Sequence, residues 1–479
     1  MSDAPRPATA PAAAHTPAPR PFLATLLMSV AVLELLARFS GSDLLQQIAW
    51  GLVLTVVVLA VRQLTLREIY LLGASAVLSV LVIVTQPDPG TILSGAMDQA
   101  VFLMAFILLL GLLQATARSS PSVEILGEYL TRQPPGRRYV ALSGGTSLLA
   151  VLFNLGVVSF LVPLIQQGIR RAGADDGLNP LREQRQLSAL LRGFAWCVTW
   201  SPTAFAPLIV AELMPGVERT AWIGYGFAFF MLLMLVGALE DKLRFRAYRP
   251  SGKRAVMAFP RTAALRFAAT TGWFLLLVVF FVEVFDGSIV FGVLAACPVM
   301  MAGWLTAQFG LRSPTLWPDL KARMRTLVVE ELPGSLNVAI TLACSGFIGR
   351  AGAGLTPAAE VAAFPGLGAM PDWLLLSAIP LFIALVSLLA LSPTMMAVFM
   401  GSFFAALPEM PADPTLLAFS ISCGWALSMT FSPFATVVLV IARASGLPAT
   451  RLTWGWNLHF TLIAAILLVP LFALLTMGA

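Results

Sequence analysis

Charged side chains are scarce in this sequence. Only 11% of its residues are Asp, Glu, Lys or Arg, whereas a soluble globular protein carries roughly 25%. Hydrophobic residues make up 58%, and the mean hydropathy is +0.86. So many apolar residues cannot all be buried inside a water-soluble domain. The composition therefore excludes the soluble class and predicts a protein that crosses a membrane many times.

Cysteine and histidine are also rare, which limits the available chemistry. The four cysteines are far apart in apolar segments, so neither a disulfide framework nor a metal-ligand spacing is present. No ATP-binding motif occurs, and the net charge of +6 comes from basic loops rather than from a nucleic-acid-binding patch. We expect no enzyme activity and no cofactor, because no catalytic cluster is visible. The cysteines and histidines of the sequence are Cys197, Cys297, Cys344, Cys423, His15 and His459.

Apolar segments long enough to span a bilayer recur along the chain. The first 20 residues are rich in Ala and Pro and are predicted to form a disordered cytoplasmic tail. With that end inside, the loop charges place the C-terminus outside a plasma (inner) membrane. The eleven predicted spans are 22–38, 44–62, 68–86, 98–117, 189–213, 219–240, 264–283, 288–308, 328–350, 414–445 and 453–477.

Two further apolar segments, 139–171 and 372–407, are too long for one crossing. As a single helix the first would measure about 50 Å, against a hydrocarbon core of about 30 Å. Its flanks are both basic, and the flanks of the second are acidic or neutral. The positive-inside rule then favours two re-entrant hairpins, one entering from the cytoplasm and one from outside. Their predicted tips are Asn154-Leu155-Gly156 and Ser392-Pro393-Thr394.

A Ser-Pro pair interrupts each of two spans. The stretch Thr199-Trp200-Ser201-Pro202 lies within 189–213, and Thr430-Phe431-Ser432-Pro433 lies within 414–445. Proline removes a backbone hydrogen bond, and in lipid the freed groups are tolerated only where protein or a polar cavity receives them. Matching breaks in two halves of a chain point to a transporter's binding site.

The basic segment 241–262 divides the chain into two halves, 21–240 and 263–479. Each half contains one hairpin followed by one broken span, and the two hairpins enter from opposite sides. We therefore predict an all-α polytopic fold of about eleven transmembrane helices plus two re-entrant hairpins, arranged as inverted repeats.

The hairpin tips and the breaks are predicted to meet near the membrane midplane. Helix N-termini there suit an anion, and unwound carbonyls with hydroxyls suit Na⁺. For each motif alone, the alternative is structural: a kink at Ser-Pro, a packing hydrogen bond from Asn154, or a turn at Ser392-Pro393-Thr394. The predicted substrate residues are Asn154, Gly156, Thr203, Ser392, Pro393 and Thr394, and the predicted ion residues are Asn154, Thr199, Ser201, Pro202, Ser392, Thr430, Ser432 and Pro433.

Intramembrane carboxylates are missing from both tips and both breaks. A proton-carrying cation exchanger would be expected to have paired acids there. Arg192 and Arg443 are predicted to lie at cytoplasmic ends of spans and to act as topology determinants. The sequence therefore favours an anion substrate.

This architecture resembles the ion transporter superfamily, and most closely its divalent anion:sodium symporter (DASS) family, over residues 44–477. The first tip keeps only the Asn of that family's Ser-Asn-Thr signature, as Asn154, and the second keeps Ser392 and Thr394 around Pro393. The resemblance implies a homodimer with a fixed scaffold and a transport domain that moves like an elevator, with Na⁺ as the coupling ion.

The leading hypothesis is a secondary active transporter of a small organic anion, with dicarboxylates among the candidates, driven by Na⁺. One alternative is another anion, or Na⁺/H⁺ exchange, on the same fold. A second is the membrane subunit of a tripartite transporter that is supplied by a soluble binding protein.

Overall fold

The computed structural model describes residues 21–118, 120–171, 177–247, 257–310, 315–362 and 370–477. Within these ranges every regular element is helical and no strand occurs, which confirms the all-α prediction. The predicted tail, 1–20, lies outside the described residues. The helices, in chain order, are α1 Pro21–Ser40, α2 Asp43–Ala60, α3 Leu66–Thr85, α4 Pro89–Arg118, α5 Pro121–Thr131, α6 Pro135–Phe153, α7 Gly156–Arg171, α8 Asn179–Cys197, α9 Phe205–Leu213, α10 Arg219–Arg244, α11 Arg261–Phe285, α12 Ile289–Phe309, α13 Leu316–Thr326, α14 Leu336–Leu355, α15 Ala358–Ala362, α16 Asp372–Val386, α17 Pro393–Ala405, α18 Pro414–Phe431, α19 Thr436–Ser445 and α20 Leu458–Thr476.

Eleven helical segments within the described residues are long and apolar enough to cross a membrane. The number of candidate spans agrees with the eleven predicted from the sequence, but one of the eleven segments is different. The predicted span 189–213 is divided between α8 and α9, and α8 begins ten residues earlier than expected, in a polar stretch with Arg182 and Arg185. The segment Asp372–Leu389, predicted as one arm of a hairpin, meets the length and composition criterion instead.

Both segments judged too long for one crossing are interrupted in the middle. Between α6 and α7, and again between α16 and α17, the chain contains a non-glycine residue with positive φ: Asn154 at 44° and Ala390 at 60°. L-residues rarely adopt this region, although Asn does so more readily than most. The side-chain oxygen Oδ1 of Asn154 also accepts a hydrogen bond from the N–H of Leu155, at 2.8 Å. Each pair of helices is thus separated by a sharp turn.

The two Ser-Pro breaks have the same backbone structure. In both, the serine N–H donates to the carbonyl four residues earlier at 2.8 Å, which makes this the last helical bond before the proline. The alanine three residues later, Ala204 or Ala435, donates its N–H to the carbonyl of Ser201 or Ser432 at 3.2 Å. A new helix, α9 or α19, then begins at the next residue. Two unrelated kinks would not be expected to share this geometry.

The packing around the breaks is also repeated. In the first half α6 packs against α8 and α10, and in the second half α16 packs against α18 and α20. The contacts between halves are reciprocal, because α7 packs against α19 and α17 packs against α9. A second group of helices surrounds α4, which packs against α1, α2, α3, α12 and α14.

Two glycines allow the close helix packing at equivalent places. Gly193 lies six residues before Thr199 on α8, and Gly424 lies six residues before Thr430 on α18. A Cβ at Gly193 would lie 2.7 Å from the Ser143 Cα on α6, and a Cβ at Gly424 would lie 3.0 Å from the Pro380 Cα on α16. The collision at Gly193 involves only backbone atoms of Ser143, so a shift of a whole helix would be needed to relieve it, whereas the nearest atom to the Gly424 Cβ is Cδ1 of the Ile383 side chain, at 2.7 Å.

We expect Gly193→Ala to destabilise the protein. Overpacking of this kind costs roughly 1–3 kcal/mol, so the variant should unfold several degrees below the wild type in a detergent thermal-denaturation assay. Gly224→Ala on α10 is the matched control, since a Cβ there meets no heavy atom within 4 Å. An alanine at an open helix position should be neutral or stabilising. Equal melting temperatures for the two variants would contradict the close approach.

Candidate functional site

One cavity of about 360 Å³ lies between the two groups of helices. This volume is within the range of pockets that hold small organic molecules. Both predicted hairpin tips border it. Its polar and charged lining consists of Thr65, Arg67, Glu68, Asn154, Asn337, Thr341, Ser392, Thr394, Thr436 and Arg443.

Four helix N-termini from the two interrupted pairs and the two breaks meet at this cavity, and the N-termini of α3 and α14 border it as well. Asn154 and Leu155 directly precede α7, Phe205 is the first residue of α9, Pro393 opens α17, and Thr436 opens α19. The first N–H groups of a helix have no partner within it, and the helix dipole adds a partial positive charge there. Four such ends around one cavity therefore form a site suited to an anion.

The tip of α17 is held by its own capping residue. The Ser392 side chain accepts the N–H of Thr394 at 3.2 Å, and Pro393 occupies the first helical position, where it needs no amide. Both Ser392 and Thr394 are buried within the protein. The sequence Ser-Pro-Thr thus fixes the start of a helix whose end faces the cavity.

Three charged residues line the cavity. Arg67 and Glu68 lie at the start of α3, and Arg443 lies near the end of α19. Glu68 is only 5% exposed, and its carboxylate accepts the Thr65 N–H at 2.8 Å, the Thr65 hydroxyl, and the Thr341 hydroxyl at 3.0 Å. Arg443 was interpreted first as a topology determinant at a cytoplasmic end of a span, and the structure shows that it also lines this cavity.

The remaining wall of the cavity is apolar and aromatic. Phe194 and Phe205 come from the first broken helix, and Trp425 comes from the second. Ile107 and Leu110 of α4 contribute from the other group of helices. A ligand with a charged end and an apolar body would match such a mixed surface.

The structure brings together only some of the predicted site residues. Asn154, Ser392, Pro393 and Thr394 line the cavity, whereas Gly156, Thr203, Thr430, Ser432 and Pro433 do not. A separate, smaller cavity of about 40 Å³ is lined by Thr199, Ser201 and Pro202. It is too small for an organic anion.

Hydroxyls at the breaks have protein partners. Thr203 donates to the Val151 carbonyl near the end of α6, and Ser432 donates to the Ser387 carbonyl just after α16, at 2.8 Å. In both halves a break hydroxyl thus satisfies a carbonyl near the hairpin turn, where the helix can no longer do so. In this geometry the Thr203 hydroxyl is hydrogen-bonded to the protein and does not line the cavity.

The threonines of the breaks face α10 and α20. Thr199 donates to the carbonyls of Trp196 at 2.8 Å and Gly226 at 3.3 Å. Thr430 donates to the Leu427 carbonyl at 3.1 Å and accepts the hydroxyl of Thr461 at 2.9 Å. These contacts attach each break to the helix that follows it in the chain.

Arg192, which was expected to be a topology determinant at a cytoplasmic end, is buried within the protein. It is 4% exposed, donates to Asn457 Oδ1 at 2.7 Å and pairs with Glu240. Its guanidinium also lies 4.2 Å from the ring centroid of Phe460. A buried charge requires such partners. The cluster joins α8, α10 and α20, and its members are separate from the cavity lining.

The described residues contain no cluster of three or more His, Cys, Asp or Glu side chains that could hold a metal ion. Sequence reasoning missed Glu68, whose only signal is the Thr65-x-x-Glu68 pattern of a capping box at the start of α3. That pattern predicts a helix start and gives no indication of a cavity.

These helices, with two interrupted pairs and two Ser-Pro breaks, define a polytopic membrane fold found in transporters. The YdaH transporter of Alcanivorax borkumensis has a similar structure, with a TM-score of 0.54, 14% sequence identity, and coverage of 87% of this chain and 99% of that chain. MtrF of Neisseria gonorrhoeae, described with a class of antimetabolite efflux pumps, gives a TM-score of 0.50 at 11% identity, covering 85% and 94%. No protein-family model and no curated sequence matches the chain.

Proposed function

We propose that this protein is a secondary active transporter of a small organic anion in the plasma membrane. The convergence of four helix N-termini on one cavity carries this proposal, since it supplies positive potential without a fixed acid at the tips. Arg67 and Arg443 add positive charge to the same lining. Dicarboxylates remain among the candidate substrates, and the apolar wall extends the range to anions with an apolar body.

The proposed mechanism is an elevator. The transport domain would comprise α6–α10 and α16–α20, and the scaffold would comprise α1–α4, α11, α12 and α14. The matched breaks, the reciprocal helix packing and the equivalent glycines support an inverted repeat within the transport domain. A homodimer held together by the scaffold follows from the resemblance to the DASS family.

The arrangement of the cavity supports an inward-open state. The scaffold residues that line it, such as Glu68 and Asn337, come from the starts of α3 and α14. Arg443 comes from the end of α19. The loop charges of the sequence assign all three ends to the cytoplasm, so the bound anion would be exchanged with the cytoplasm in this geometry.

Na⁺ is the proposed co-substrate. Hard cations take oxygen ligands, and hydroxyls gather beside the first break, where Ser201 Oγ lies 3.4 Å from Thr203 Oγ1. The Thr430–Thr461 pair gives a comparable group at the second break.

Exchange of Na⁺ for H⁺, and the membrane subunit of a tripartite system, remain the alternatives. Reconstitution of this chain alone tests the latter, because unaided uptake would remove the need for a binding protein.

A thermal-shift screen of the purified protein tests the anion proposal. Acetate, benzoate and succinate would be compared with acetamide, benzamide and succinamide, each with and without Na⁺. A ligand present at 100 times its Kd stabilises the folded protein by about 2.7 kcal/mol. At least one carboxylate should raise the melting temperature by several degrees, more strongly with Na⁺, while its amide should not. Equal responses to acids and amides, or none to either, would overturn the proposal.

A further inference from the structure

Glu68 is a buried negative charge in a cavity otherwise suited to anions. Three hydrogen bonds hold its carboxylate in place: the N–H and hydroxyl of Thr65 and the hydroxyl of Thr341. These three hydrogen bonds fix the position and orientation of the carboxylate. A capping box alone would require only the contact with Thr65. The contact with Thr341 on α14 fixes the charge against the cavity wall.

The location of Glu68 divides the site into two parts. Asn154, Ser392, Thr394 and Arg443 belong to the helices assigned to the moving domain, and Glu68 belongs to the scaffold helix α3. A bound anion would therefore travel with the four helix ends and meet Glu68 only when the cavity is in the described position. Arg67, its neighbour, lines the same cavity but is partly exposed, so water screens its charge more than that of Glu68.

We infer that Glu68 is a release residue, which lowers the affinity for the anion in the inward-open state and so favours its discharge to the cytoplasm. This inference rests on the proposed transport function and adds a specific role for one scaffold charge. Repulsion between like charges across a protein cavity is larger than in bulk water, because the effective dielectric constant is lower. A site that binds an anion at four helix N-termini requires such a repulsion if the anion is to leave rapidly.

Glu68→Gln removes the negative charge but keeps a side chain that can take part in the helix cap. Glutamine also suits this position of a capping box, so the melting temperature without ligand should stay close to that of the wild type. The Kd for benzoate or succinate, whichever stabilises the wild type, should fall roughly five- to tenfold. In proteoliposomes the variant should show a lower KM together with a lower maximal rate, because release becomes slow.

Glu218→Gln is the matched control. Glu218 caps α10 by accepting the N–H groups of Thr220 and Ala221, but it does not line the cavity. This variant should leave both Kd and KM unchanged. A purely structural role for Glu68 predicts the same result for the two variants.

The outcomes distinguish this inference from the transport proposal itself. If the wild type binds a carboxylate but Glu68→Gln binds it equally or more weakly, the release role is overturned and transport stands. If no carboxylate stabilises the wild type, the proposed function fails and the release role fails with it. Tighter binding together with slower turnover supports both.

Discussion

Thr394→Trp is expected to abolish uptake without unfolding the protein. Thr394 is 3% exposed, lines the cavity, and lies in the first turn of α17 beside the capping residue Ser392. An indole at this position would occupy the space of the anion and cover the N-terminus of the helix. Uptake of the carboxylate identified by thermal shift should fall to the level of empty vesicles, while the size-exclusion profile in detergent stays unchanged.

Thr55→Trp is the control for this substitution. Thr55 is exposed on α2, where its hydroxyl donates to the carbonyl of Gly51 at 2.7 Å within the same helix. The added volume is the same, but it points away from the cavity, so uptake should remain near the wild-type rate. Normal uptake by Thr394→Trp would mean that the substrate binds elsewhere.

The helical architecture could be predicted well because its signals are local. Apolar run length predicts a span, and loop charge predicts its direction. The interruptions near Asn154 and Ser392 followed from length, since one helix would be too long for a bilayer, and from the polar or turn-forming residues in the middle of each segment. The Ser-Pro breaks followed from the missing amide of proline. None of these inferences requires knowledge of which helices touch.

The candidate site was harder to predict because its residues come from distant parts of the chain. Thr203 and Ser432 are polar residues next to a proline, which suited a substrate site and an ion site, respectively, as well as a structural role. The structure shows their hydrogen-bond partners, the carbonyls of Val151 and Ser387, which the sequence does not reveal. Arg192 likewise resembled a residue at the end of a span until Glu240 and Asn457 were seen beside it. Partners of this kind are fixed by tertiary packing, which no single segment contains.

The interface between α14 and α17 joins the proposed scaffold to the proposed moving domain. The scaffold helix α14 also packs against α3 and α4, and α17 carries the tip residues of the second hairpin. In an elevator these surfaces must separate or slide during each cycle. Small residues at such an interface allow backbones to approach closely, as in other membrane helix pairs.

Gly349→Ala is therefore expected to reduce uptake strongly. A Cβ at Gly349 would lie 2.7 Å from the Met395 carbonyl oxygen and 2.8 Å from the Val398 Cβ on α17. Overpacking costs roughly 1–3 kcal/mol, and about 1.4 kcal/mol changes a population tenfold. The described arrangement should thus be disfavoured relative to others in which α17 has moved, and uptake should fall about tenfold.

The matched control and the direct readout for this prediction both come from α14. A Cβ at Gly352 would meet only the Phe399 ring, at 3.5 Å, so Gly352→Ala should transport normally. Because all four native cysteines are buried, a single cysteine in place of Asn337 in the cavity wall reports access from water. Its reaction with a maleimide should slow in the Gly349→Ala background and remain unchanged with Gly352→Ala. Equal labelling and equal uptake in the two variants would show that α14 and α17 do not separate during transport, and a moving α17 would then have to be abandoned.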